Sequence, residues 1–579
     1  MLAITRSLSN DSVDEVSTNI NKNSAMIFTS GKLLAALNLA SIAVTAGTFN
    51  TAIEQRVQRT TISNQWRNDV EISSPLYPAN YLLVPIDHFH NDSLYEPHTE
   101  ESFNLRYWFD ATYYKPGGPV IVLQAGETDG SGRLPYLKKG ILHQLIVATN
   151  GIGVVLEHRY YGTSMPMPDF STENLRFLTT DQAVADQVFF ARNVKFPGLE
   201  HLDLTAPNVA YIGYGGSYAG GFVAILRKLY PDVFWGCISS SGVIEAVHDY
   251  WAYFEPIRVY ADQKCVSNTQ KLINVIDNII LGQNDQTLTI RLKNVFGLPN
   301  VTHDDDFASI ISKGIYSWQN RNWDPELNDL TFEDYCNNIT SSETIYPETS
   351  DLTDTVKELL KIGGYESEVE NLATPWLNWV GWLNQQLVST CIGPQDYCFG
   401  TYNTTFYEQD DISQDWRAWP YQYCTQWGYL QTGSGVPNNQ LPLLSRTITL
   451  ERESLICKLA FNITSPPNVA AINKYGGFAL SYSRLAMIDG EQDPWRPVTA
   501  HANPFNSSAI NRTSTISEPF ILISGGVHHW DENGRLANET IDTAPDLLPP
   551  APVRQAQAQE VTFVTSWMEE WQKKQPMEL

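Results

Sequence analysis

Apolar and polar positions along this chain change their rhythm twice. From about residue 80 to 245, short apolar runs alternate with stretches of helical period, the pattern of a mostly parallel sheet with helices on its faces. Leu105 to Phe109 predicts one strand, Pro119 to Ala125 a buried central one and Gly153 to Glu157 another. Thr180 to Asn193 has helical period, with Thr180 the expected N-cap and Asp181 in the first turn. Beyond Glu245 helical periodicity dominates (Lys271 to Ile280, Asp354 to Lys361, Pro375 to Leu387), broken by long polar loops as far as about Pro467. The strand pattern then returns at Arg484 to Ile488 and at Phe520 to Ser524, and Ala556 to Lys573 predicts a closing helix. The expected organisation is therefore an α/β core in two pieces, residues 47–245 and 476–579, around an inserted helical cap, 246–475.

Residues 1–46 read as an extension and a secretory signal. Leu33 to Ala46 is an apolar run after Lys32 that ends in a small-x-small pattern, with cleavage expected near Ala46. It is too short for a convincing membrane span, so no stable membrane association is expected after cleavage. The polar residues before Met26 are read as a start-site error, with an uncleaved anchor as the alternative. Secretion, to the outside or to a vacuole or lysosome, fits sequons at Asn91, Asn300, Asn338, Asn403, Asn462, Asn506, Asn511 and Asn538. Six of the 7 cysteines lie between 265 and 457, where disulfides would staple the cap, whereas Cys237 sits in an apolar strand and is expected to be a packed thiol. The formal charge of -26 repels nucleic acid and anionic membranes, and it suits a protein working in acid.

Candidate chemistry centres on Asn208 to Pro231, which reads as a buried strand, a glycine-tight turn holding Ser217, and a helix. Gly215, Gly216, Ala219 and Gly220 leave room at the bend for a serine with strained dihedrals. The Tyr218 N–H, opening the helix, points toward any oxyanion beside that serine, and the loop Gly126 to Gly130 offers a second donor near Glu127. A nucleophile elbow is the reading, relaxed from G-x-S-x-G because Ala219 adds a methyl group. The cluster Glu157 to Gly162 after a buried strand reads as a buried Glu157 and Arg159 ion-pair network holding loops in place, or as a site wall.

Serine attack needs a base and an orienting acid, which in α/β-hydrolases follow in the order Ser, Asp, His. Beyond Asp493 stand His501, His528 and His529. His528, just after a strand and a Gly-Gly turn, is the expected base, with His529 its alternative; His501 follows Asp493 with no intervening strand. Asp493 is favoured over Asp489 because Pro494 and Trp495 would fix and desolvate it, whereas Asp489 beside Gly490 resembles a turn residue.

The motifs Glu157-His158-Arg159-Tyr160-Tyr161-Gly162, Gly215-Gly216-Ser217-Tyr218, Tyr421-Gln422-x-Cys424-Thr425, Gly490-x-x-Asp493-Pro494-Trp495 and Gly526-x-His528-His529 resemble those of the family containing lysosomal prolyl carboxypeptidase and dipeptidyl peptidase II. The resemblance runs from about residue 80 to the end. It implies an α/β-hydrolase core with a helical insertion, and a serine peptidase active in acid that cleaves after proline, with Ser217, Asp493 and His528 as its triad. Proline-containing peptides are the expected partners, no cofactor is expected, and a homodimer is left open. Two positions depart from the family: Ala219 at the elbow, and Gln426, where a glutamate often follows Cys-Thr, which leaves exo- and endopeptidase modes open.

A proline-selective cleft needs flat apolar walls, because the ring fixes φ and carries no N–H. Trp419, Tyr423, Trp427, Trp495 and Trp530 are the expected walls. Gln426 has no charge with which to hold a substrate α-amino group; Glu127 or Asp129 would have to do so. A lipase- or esterase-like hydrolase shares the triad and is the rival reading, ahead of an inactive binding protein. No cluster with metal-ligand spacing, P-loop or dinucleotide fingerprint is evident.

Overall fold

The computed structural model describes residues 77–536 and 548–574; the expected signal run and the sequon at Asn538 lie outside the described residues. Ten strands are numbered in chain order: β1 (Asn80–Pro85), β2 (Ser102–Asp110), β3 (Val120–Gln124), β4 (Ile152–Leu156), β5 (Tyr211–Gly216), β6 (Phe234–Ser240), β7 (Val247–Asp249), β8 (Gly428–Leu430), β9 (Leu485–Gly490) and β10 (Phe520–Ile523). Eight of them form one sheet in the order β1-β2-β4-β3-β5-β6-β9-β10. β1 and β2 run antiparallel to their neighbours; from β4 to β10 all pairs are parallel. β3 and β4 are buried at every position, as strands covered on both faces are. Helices Thr180–Asn193 and Tyr218–Leu229 pack on one face, Gly140–Thr149 and Ala551–Lys574 on the other. This is the α/β-hydrolase arrangement, with the elbow directly after the central β5.

The helical stretch between β7 and β9 carries Gln263–Asp277, Thr331–Thr340, Thr353–Ile362 and Val369–Gln386. Trp376, Trp379 and Trp382 bury one stripe of the last of these. β7 pairs in parallel with β8, so the first and last parts of the insertion are tied to each other. Disulfides Cys265–Cys336, Cys391–Cys398 and Cys424–Cys457 staple it, and Cys237 is a buried free thiol. Among the described residues no helix is long and apolar enough to cross a membrane.

Several local expectations change. Thr179, not Thr180, caps the helix Thr180–Asn193, its side chain accepting from Gln182 N–H. Glu157 and Arg159 are buried in ion pairs, as expected, but each has a partner outside the motif. Glu157 Oε1 meets Arg106 Nη2 at 2.5 Å, and Arg159 Nε meets Asp186 Oδ2 at 2.6 Å, because their side chains leave the chain in different directions after β4. Asn338 is buried in the helix Thr331–Thr340, where its amide donates to Asp334 O at 2.7 Å, so the folded chain has no room for a glycan there. Asn91, Asn300, Asn403, Asn462 and Asn511 are exposed, and Asn506 is half-buried.

Burial pushes the Cys237 thiol up to about 12. The native protein should therefore leave a thiol reagent unconsumed, and one equivalent should react after denaturation without reductant. Reaction of the native form, or of three equivalents after denaturation, would mean that this pairing is incorrect.

Candidate active site

Ser217 sits at φ 60°, ψ -127°, between β5 and the helix Tyr218–Leu229. Few non-glycine residues hold a positive φ, and here the backbone fixes it from both sides. Ser217 N–H donates to Ser240 O at 2.9 Å, and Ser217 O accepts from the N–H groups of Gly220 at 2.9 Å and Gly221 at 3.1 Å. The neighbours must be small. A Cβ on Gly215 would lie 2.2 Å from Ala219 O, and one on Gly221 2.0 Å from Val243 O. Ala219 breaks the glycine pattern without strain because its methyl faces Gly126, where even an added Cβ would remain 3.6 Å away. That contact also sets the loop after β3 against the elbow.

His528 Nδ1 lies 2.8 Å from Asp493 Oδ2, and the Trp495 N–H holds Asp493 Oδ1 at 2.9 Å. A carboxylate only accepts, so Nδ1 carries the proton and Nε2 presents its lone pair. That Nε2 is buried and has no hydrogen-bond partner among the described residues. Burial lowers the His528 pKa, and the Asp493 carboxylate offsets this only in part. Asp489 is engaged elsewhere, with His501 Nδ1 at 2.7 Å. His529 Nδ1 is 2.9 Å from Glu532 Oε2. Burial alone would favour its neutral form, but the Glu532 carboxylate outweighs it and raises its pKa. The neighbouring imidazoles are thus pushed in opposite directions. The His529 ring packs on Gly216, where an added Cβ would lie 3.2 Å from Cγ.

Tyr218 opens the helix Tyr218–Leu229, so its N–H has no intrahelical acceptor, whereas Gly126 N–H is taken by Gln124 Oε1 at 2.6 Å and the Glu127 N–H meets its own carboxylate. The Glu127 side chain is half-buried, and burial raises its pKa although Arg133 and His529 are near. Sequence reasoning missed the support of Tyr218. His158 Nδ1 donates to Arg159 O at 2.8 Å, so Nε2 accepts from Tyr218 Oη at 3.0 Å. Burial keeps this imidazole neutral, with a pKa of about 4. The motif Glu157 to Gly162 was the signal for it.

Of the expected pocket residues, Trp419 and Trp427 pack edge-on against Tyr218 at 5.4 and 5.2 Å, and Tyr423 lies 6.0 Å from Trp419. Trp427 is fully buried and donates to Thr180 Oγ1, so it supports the wall without facing the cleft. Gln426 is likewise a support: its Oε1 accepts from Thr180 N–H at 3.0 Å and Thr180 Oγ1–H at 3.2 Å. Trp419 Nε1 and Tyr423 Oη are buried with no partner among the described residues. Trp495 and Trp530 are bound to a cap segment that sequence reasoning passed over. Trp495 Nε1 donates to Gln319 Oε1 at 2.8 Å, Trp530 Nε1 to Arg321 O at 3.0 Å, and Trp318 Nε1 to Gln492 O at 2.8 Å.

Ser217 on its strained strand-to-helix turn and the His528–Asp493 pair are features expected of a serine hydrolase on the α/β-hydrolase core, although no hydrogen bond joins Ser217 Oγ to His528 Nε2. Residues 85–543 match the family model for serine carboxypeptidase S28. The chain belongs to that family and is a serine-type peptidase by membership. It is 53% identical over 495 residues to a probable extracellular serine carboxypeptidase of Arthroderma benhamiae, covering 85% of this chain and 68% of the relative. It is 29% identical to the serine protease vicPb of Bipolaris victoriae (74% and 81% covered) and 23% identical to the thymus-specific serine protease of Mus musculus (78% and 82% covered).

Behind the histidine loop lies a buried acidic pair. Asp531 accepts from Ser240 Oγ at 2.5 Å and Tyr214 Oη at 2.8 Å, and burial raises its pKa to about 6. Glu560 is fully buried with both oxygens unpartnered among the described residues; burial and Asp531 raise its pKa further. Carboxyls with raised folded pKa values stabilise the fold relative to their ionised forms at low pH, and that advantage is lost as pH rises from the unfolded value through the folded one. The contribution of Asp531 and Glu560 to stability should therefore fall from about pH 4 to 7. Glu560→Gln should raise Tm at neutral pH and much less in acid; a variant offset that does not change with pH would refute this.

Proposed function

We propose that this chain is a secreted serine peptidase that hydrolyses peptide bonds after proline in acid, with Ser217 as nucleophile, His528 as general base and Asp493 as its orienting acid. The observation that carries the reading is His528, bound to Asp493 through Nδ1, with a buried and unpartnered Nε2. In this scheme Nε2 takes the Ser217 proton as Oγ bonds to the scissile carbonyl carbon, and the N–H groups of Tyr218 and Glu127 receive the oxyanion. Collapse breaks the C–N bond, and His528 returns the proton to the departing amine. Water, deprotonated by the same nitrogen, then releases the acyl group from Ser217. Asp493 stays ionised throughout.

Acid activity is supported by the lowered pKa of His528, which keeps the base neutral further into acid than an ordinary imidazole would be. Secretion is supported by the name of the Arthroderma relative, three disulfides and the exposed sequons. Carboxypeptidase mode is favoured by the family description and that same name. The use of Gln426 as a support for Thr180 argues further against its holding a substrate amine. Proline preference rests on the family resemblance and on the aromatic wall around Tyr218, with Trp419 and Tyr423 as the side chains that have polar atoms to spare.

Ser217→Ala should preserve folding and lower kcat by several orders of magnitude, and His528→Ala should be far more damaging than His529→Ala. The acid limb of kcat/KM should fall below the ordinary histidine value of about 6.5. The reverse histidine ranking would move the base by one residue, and an acid limb above that value would contradict the burial argument.

Products from an amino-terminally blocked peptide ending Pro-Xaa, mapped by mass spectrometry, test the specificity. Release of Xaa alone is expected, with carboxyl-terminal amidation slowing it. Trp419→Ala should reduce kcat/KM for proline over alanine substrates by roughly tenfold, about the worth of one aromatic contact. Internal cleavage would make the protein an endopeptidase, a strict need for a free amine a dipeptidyl peptidase, and turnover of esters alone an esterase.

A further inference from the structure

The loop between β1 and β2 carries three of the chain's 11 histidines, His88, His90 and His98, around the buried carboxylate of Asp87. No ligand spacing is visible along the chain here, because the fold closes the gap between Asp87 and His98. His98 Nδ1 lies 2.7 Å from Asp87 Oδ2, and donor atoms of Asp87, His90 and His98 all fall within 4.8 Å of one another. The His90 and His98 rings are 5.8 Å apart, and Glu100 Oε1 is 3.5 Å from His90 Nδ1. Asp87 is held from behind: its Oδ1 accepts from Phe89 N–H at 2.8 Å and from Gln182 Nε2 at 2.8 Å. His88 faces away, with Nε2 at 2.8 Å from Asp186 Oδ1.

We propose that Asp87, His90 and His98 form a binding site for a divalent transition metal, with Zn²⁺ the best match to the donors and Glu100 within reach as a fourth ligand. Two imidazoles and a carboxylate are a borderline donor set suited to Zn²⁺, whereas Mg²⁺ and Ca²⁺ call for shells built of oxygen. Zinc-to-ligand distances of about 2.0–2.2 Å are reached by modest rotation of His90, the exposed member, and a slight opening of the Asp87–His98 contact. Gln182 serves as the outer support: its Nε2 orients Asp87 while its Oε1 accepts His88 N–H at 2.9 Å. It also lies in the first turn of the helix Thr180–Asn193, whose start is held by Gln426 and Trp427, the latter packed on Tyr218. Bound metal would clamp the β1–β2 loop to the layer that supports the elbow.

The test uses tag-free, chelator-treated full-length protein near neutral pH, titrated with ZnCl₂ by calorimetry and followed by thermal unfolding. One Zn²⁺ per chain and a rise in Tm are expected, with MgCl₂ at the same concentration giving no rise. His90→Ala and His98→Ala should each weaken binding by about tenfold or more. If His98→Ala disturbs folding by circular dichroism, the exposed His90→Ala carries the test alone. Absence of saturable binding, or Zn²⁺ affinity unchanged in His90→Ala, would overturn the proposal.

Discussion

A serine held at φ 60° is the constraint on which this structure turns. Such a backbone costs on the order of 1–3 kcal/mol, and it persists because strand, helix and the segment after β6 close on it together. Ser217 O receives the Gly220 and Gly221 N–H groups, while Ser217 N–H is bound to Ser240 O. Each of these contacts requires neighbours without side chains, and this accounts for the glycines at 215, 220, 221 and 242. The exchange of a glycine for Ala219 is absorbed on the far side, by Gly126. One methyl group thereby joins the elbow to the loop that carries the Glu127 N–H.

The second dependence runs through the cap. Residues 318–323 bond to the Asp493 loop through Trp318 and Gln319, and to the His528 loop through Arg321 and Trp323. Asp493 and His528 follow strands β9 and β10, on the far side of the insertion in sequence, and a segment of that insertion holds both loops. The insertion is therefore part of the framework that holds the Asp493 and His528 loops. Tyr250 and Tyr253 reinforce the link, packing on Trp495 at 5.3 and 5.5 Å.

Charge is arranged in layers around the histidine loop. His528 and His529 are adjacent rings 4.5 Å apart with pKa values driven in opposite directions. The difference comes from their partners: Asp493 offsets burial at His528 only in part, whereas Glu532 outweighs it at His529. Beneath them Asp531 and Glu560 favour the protonated state, so the carboxyls behind the loop stay neutral in acid while His528 stays neutral further into acid than an ordinary imidazole.

The alternation of apolar runs determined the two-part sheet, the helical insertion and the elbow, because strand and helix periods are local properties of the chain. Cysteine placement likewise set Cys237 apart from the six in the cap, although the pairing itself needed coordinates. Only tertiary structure decided which charge meets which. Glu157 turns to Arg106 and Arg159 to Asp186, although the two lie two residues apart, since partners of buried ions are chosen by side-chain direction in three dimensions. The same holds for Gln426 and Trp427, which support a helix start rather than open onto the cleft, and for Asn338, a sequon folded into a helix. The convergence of Asp87, His90 and His98 belongs here as well: a metal site needs donors close in space, and sequence separation carries no record of a loop that folds back on itself.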